Sequence, residues 1–97
     1  MASIDTSVTV AMPGSVSAGA ASDMSRFWSG YTIHIVQTGT GTYQYQISAD
    51  GTNWTNEGTA ATASGVLTVT KHARWGRFNC TAWTDAVSTA TVAGKIG

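Results

Sequence analysis

The sequence predicts an all-β fold, a single antiparallel β-sandwich, jelly-roll or immunoglobulin-like, of about seven to eight strands. Three observations predict it. Apolar residues recur with period two in short runs, as half-buried strands require. Gly, Ser, Asn and Asp bound those runs at hairpin spacing. The alternating run Thr42-Tyr43-Gln44-Tyr45-Gln46-Ile47 meets a tight Asp50-Gly51 turn and then returns through Trp54, which marks an antiparallel pair.

The elements follow in order along one domain spanning residues 1–97. Val8, Val10 and Met12 share one face of a first strand that Pro13-Gly14 ends, so residues 1–14 form an N-terminal arm or edge strand. A weaker second strand takes in Val16 and Ala18. The small residues Gly19 to Ser22 make a joint, and Asp23 caps a short helical turn that carries Phe27 and Trp28. Beyond Gly30, Tyr31, Ile33 and Ile35 share one face and Thr32, His34 and Val36 the other; apolar residues on both sides suggest a central strand. Tyr43, Tyr45 and Ile47 then point one way, while Gln44, Gln46 and Ser48 point to water. Trp54 opens a short strand ending near Gly58, Thr59 to Gly65 is a loop, and Leu67 and Val69 mark the next strand. Phe78, Cys80 and Ala82 form the apolar face of a strand from Arg74 to Trp83, in which Gly76 suits a bulge. After the turn Thr84-Asp85-Ala86, a last strand covers Thr89 to Ala93 and leaves Gly94 to Gly97 as a tail.

Composition narrows function. Only 10% of the residues are charged and the formal net charge is +0, so no field draws polyanions, and neither nucleic acid nor an acidic membrane surface is an expected partner. With 42% hydrophobic residues the chain is too apolar for disorder, yet it lacks the charge that keeps small free monomers soluble. A working life inside an assembly fits both facts. The start Met1-Ala2-Ser3-Ile4-Asp5 has neither a basic region nor an apolar run, so synthesis in a cytosol without secretion is expected.

Catalysis needs titratable groups gathered in a pocket, and here Asp5, Asp23, Asp50, Glu57, Asp85, His34, His72 and Cys80 are scattered over different elements. Cys80 alternates with Phe78 and Ala82 and reads as a small buried hydrophobe. No pair has metal-ligand spacing and no glycine-rich loop precedes a helix, so no enzyme activity, metal or cofactor is expected. The four tryptophans, Trp28, Trp54, Trp75 and Trp83, leave three uses open: core, protein contact, or a sugar-stacking platform. The one basic cluster, Lys71 to Arg77, suits a solvated strand entry or a salt-bridging contact to another subunit.

At Ser48-Ala49-Asp50-Gly51-Thr52-Asn53-Trp54 the chain resembles small β-sandwich virion proteins of tailed bacteriophages, in which an alternating strand leads into a Ser-x-Asp-Gly-x-x-Trp turn. The resemblance continues through Arg74-Trp75-Gly76-Arg77-Phe78-Asn79-Cys80-Thr81-Ala82 and the Thr, Ala and Val strand from Ser88 to Gly94. It implies a head decoration or cement protein on the capsid surface, made in the host cytoplasm, whose partners are the major capsid protein and copies of itself as a homotrimer or dimer. The expected contact residues are Val8, Val10, Met12, Phe27, Trp28, Trp54, Trp75 and Arg77. The alternative is a carbohydrate-binding or host-attachment module of a fibre or tail, stacking sugars on Trp54, Trp75 and Tyr43. The turn is also similar to the sialidase-type Asp-box, Ser-x-Asp-x-Gly-x-x-Trp, but is one residue short of it and occurs once, whereas propellers repeat it.

Overall fold

A computed structural model describes residues 3–27 and 30–96 of the chain. It contains β1 (Ser3–Val10), β2 (Ser22–Asp23), β3 (Tyr31–Thr38), β4 (Gly41–Ser48), β5 (Thr55–Asn56), β6 (Gly65–Val69), β7 (Trp75–Trp83) and β8 (Val87–Ile96), with no helix among the described residues. The strands form two antiparallel sheets, a first in the order β1-β8-β3-β6 and a second in the order β2-β7-β4-β5. Because β1 pairs with β8, β2 with β7, β3 with β6 and β4 with β5, the pairings are nested, which is the winding of a jelly roll. The immunoglobulin-like option is thereby set aside.

Period-two burial builds the core. Tyr31, Ile33 and Ile35 of β3 and Val92 and Ala90 of β8 face Tyr43, Tyr45 and Ile47 of β4 and Phe78 and Cys80 of β7, all buried. Each large side chain so buried contributes roughly 1.5–3 kcal/mol. The Tyr31 and Tyr45 hydroxyls meet at 2.7 Å, so two phenols cross the core with each other as partners. Two of the passages between sheets, β3–β4 and β7–β8, share a corner: the Thr40 amide donates to Asp85 Oδ1 at 2.7 Å and the Thr84 amide donates to Thr40 O at 3.0 Å, which ties the two connections together.

Several local expectations change. The segment after Asp23 is a turn, not a helical one: the Ser25 amide donates to Asp23 Oδ1 and the Phe27 amide to Met24 O, which drives Met24 and Phe27 into the core. Val16 and Ala18 form no second strand, only an isolated bridge from Ala18 to Asn79, and Val16 is exposed. Gly76 carries no bulge; the irregularity lies farther along β7, where Thr42 pairs with Ala82 but Tyr43 with Cys80, leaving Thr81 between them. That extra residue breaks the alternation, which is why Ala82 is exposed instead of joining Phe78 and Cys80 inside. Nor does the last strand stop at Ala93: β8 continues through Gly94, covered by the Phe27 ring, and Ile96 pairs with Ser3.

Candidate functional site

The residues expected to make contacts fall into two groups. Val10 and Phe27 are buried in this chain's own core, and Val8 and Met12 are half-buried against it, so the apolar face of β1 serves the sandwich and not a partner. This corrects the assignment of Val10 and Phe27 as contact residues, since a side chain already packed inside offers a neighbour nothing, whereas Val8 and Met12 keep part of their surface exposed. Trp28 lies outside the described residues. Trp54, Trp75 and Arg77 do come together, on the outer face of the second sheet.

That face is built by β4 and β7, whose register sets Gln46 opposite Arg77 and Gln44 opposite Asn79. Arg77 Nε donates to Gln46 Oε1 at 2.8 Å, and Gln46 Nε2 donates to Asn56 Oδ1 at 2.9 Å. The Arg77 guanidinium also lies 4.2 Å from the centre of the Trp54 ring, and Arg74 lies 5.0 Å from that of Trp75. Each half-buried indole thus carries one of the chain's own arginines on its face.

The loop that holds this end together is longer than a two-residue hairpin turn, with Ser48 to Trp54 separating the paired residues Ile47 and Thr55. Asp50 organises it. Its carboxylate accepts from the Thr52 and Asn53 amides at 2.8 Å each, from the Asn53 side-chain amide at 2.7 Å and from the Ser48 hydroxyl at 2.9 Å. The bonds from the Asn53 and Thr52 amides come first in holding its pKa well below the ordinary carboxylate range. Gly51 turns the chain with φ +77° and rests against the Trp75 indole. Asp50 is therefore fully engaged in shaping the loop, and the loop in turn supports Trp75.

The remaining titratable groups stay apart. Cys80 is buried, with its thiol donating to Ala82 O at 3.3 Å, whereas His34 and His72 are exposed on other elements and Glu57 pairs with Lys71 at 3.5 Å. Asp5 pairs with Arg26 and accepts the Ser7 amide, which lowers its pKa, and Asp23 is lowered by the Ser25 hydroxyl and amide. Among the described residues no three His, Cys, Asp or Glu side chains gather as metal ligands, and no helix is long and apolar enough to cross a membrane.

Sequence reasoning missed the outer face of the first sheet. Ile4, Val36, Val66 and Val87 point outward there with 65%, 52%, 67% and 71% of their surface exposed, among Thr9, Thr32, Thr68, Thr89 and Thr91. Thr38 pairs with Val87, Val36 with Thr89 and His34 with Val66, so Val87, Val36 and Val66 run diagonally across β8, β3 and β6. Its outward titratable residues are His34 and Lys95. The signal was present as Val at strand positions that alternate away from the core, where a sheet face in water ordinarily carries polar side chains.

Comparison of the chain with protein families, with curated proteins and with solved structures finds no match.

Proposed function

We propose that this chain is a bacteriophage virion structural protein, a decoration or cement protein that adheres to the coat shell by subunit contacts. The observation that carries the reading is the outer face of the first sheet, with Ile4, Val36, Val66 and Val87 exposed on a surface almost free of charge. Single exposed apolar residues are ordinary on soluble proteins. Here they lie on a rigid, threonine-rich sheet whose removal from water desolvates few ions, which favours burial against a neighbouring subunit. The resemblance of the Ser48 to Trp54 turn and of the Arg74 to Ala82 strand to phage sandwich proteins supplies the identity of the neighbour. Repetition over a symmetric shell then multiplies a modest contact through effective concentration.

Co-sedimentation with expanded shells of the phage that encodes it tests the reading. The protein is expected to pellet with shells, and a Val36→Glu, Val87→Glu variant of unchanged circular dichroism to bind at least about tenfold more weakly. Failure of the native protein to bind, with shells lacking it equally resistant to heat, would contradict the proposal.

A second reading, carbohydrate recognition, draws on the amides of Gln44, Gln46, Asn56 and Asn79 beside Trp54 on the opposite face. It is the weaker one because Gln46 is already bonded to Arg77 and Asn56, and Gln44 Nε2 to the carbonyls of Glu57 and Gly58.

A further inference from the structure

The jelly roll ends in four edges, and three of them are closed. β2 and β5 are two residues long, and the segment before β2 also covers β7, through the Cys80 amide on Ser17 O and the Gly19 amide on Phe78 O. β1 is long, but its register slips between Asp5 and Val8, its Thr9 carbonyl accepts the Ser22 hydroxyl, and Arg26 lies across Asp5 and Ser7. Charge, bulge and side-chain cover are the devices by which sheet edges are kept from pairing with other chains.

Among the described residues β6 has none of them. Its five residues, Gly65–Val69, pair in unbroken register with β3 on one side only, and the thirteen residues from Gly58 to Thr70 contain no charge and no proline. An open strand edge is a row of backbone donors and acceptors that another strand can complete.

We propose that β6 is a self-association edge, on which a second copy of this chain adds its own β6 in antiparallel register about a two-fold axis through Leu67. That register sets Leu67 opposite Leu67, Val66 opposite Thr68 and Gly65 opposite Val69 of the other copy, and uses the full strand. The occupant follows from complementarity. β6 against β6 satisfies both open edges at once and forms a closed pair, whereas β6 against β1 meets the bulge and the Asp5–Arg26 pair. Residues that pair in this register have the same parity, so both outer faces lie on one side and the first sheet becomes one continuous eight-stranded sheet of two copies. The Val87, Val36 and Val66 diagonal is thereby doubled. The inference does not depend on the phage reading, because it concerns only how two copies meet.

Five paired residues per strand make a small interface, so the dimer is weak in free solution and is expected at about 0.1–1 mM protein. Sedimentation velocity over that range, on the whole chain, tests it with three proteins: the native chain, Val66→Lys with Thr68→Lys, and Val36→Lys. The double variant sets lysine opposite lysine on both sides of the central Leu67 pair and is expected to weaken association about tenfold or more. Val36→Lys changes the same outer face on a central strand and is expected to leave association unchanged. Circular dichroism confirms that each variant is folded. A native chain that stays monomeric at about 1 mM overturns the inference, and so does equal loss of association in Val36→Lys, which would place the contact on the face instead of the edge.

Discussion

The Tyr45 hydroxyl lies over Gly76, so close that a Cβ at residue 76 would overlap it. β7 can pass beneath this phenol only without a side chain, and the phenol cannot swing aside because its oxygen is held at 2.7 Å by Tyr31. Gly76→Ala is expected to destabilise the fold by about 2–3 kcal/mol, read from urea denaturation midpoints. Tyr45→Phe in the same chain should recover part of that loss.

The Tyr31–Tyr45 hydrogen bond makes its own prediction. Tyr31→Phe leaves the Tyr45 hydroxyl without this partner inside the core and is expected to cost about 1–3 kcal/mol, whereas the same change made beside Tyr45→Phe should cost less. A double-mutant cycle by urea unfolding measures the difference.

Burial raises the pKa of both phenols above the ordinary value of 10.0, with desolvation the largest cause at each. A group whose folded pKa is raised contributes stability that is fully present below its unfolded pKa and is lost as pH rises beyond it. The urea midpoint is therefore expected to fall once the pH passes 10.0, and to fall less steeply in the Tyr31→Phe, Tyr45→Phe protein.

Asp50 has the opposite sign. Its pKa is depressed by the hydrogen bonds within the loop, so its contribution is present above the ordinary value of 3.8 and lost as pH falls from there. Asp50→Asn should lower the thermal midpoint at neutral pH and flatten its decline between pH 3.8 and the acid limit. Because the loop supports Trp75, a change in tryptophan emission should accompany the loss.

The two outer faces separate the two functional readings. Trp54→Ala and Trp75→Ala remove the indoles that a sugar would need, and shell binding is expected to survive both; sugar-array binding lost in these variants would favour recognition over adhesion.

Much of this architecture could be read from residue pattern alone, because burial in a sandwich imposes period two, and Tyr31, Ile33, Ile35, Tyr43, Tyr45 and Ile47 all alternate as they pack. Glycines misled. Gly76 looked like a bulge and Gly94 like the start of a tail, yet both are strand positions under the rings of Tyr45 and Phe27, and such a neighbour comes from a distant part of the chain. The proposed contact residues were harder still. Val10 and Val36 are the same amino acid in two strands of one sheet; alternation puts Val36 on the face opposite Ile33 and Ile35, but that no element of the chain covers the outer face there is set by the arrangement of strands. The proposed contact face is distributed over β1, β3, β6 and β8, so no single stretch of sequence displays it.

The most direct measurement is a cryo-electron microscopy map of the intact particle at side-chain resolution. The account expects this chain on the coat shell with Val36 and Val87 covered by a neighbouring subunit. A particle without the chain, or one in which that face is open to solvent while Trp54 and Trp75 hold the contact, would contradict it.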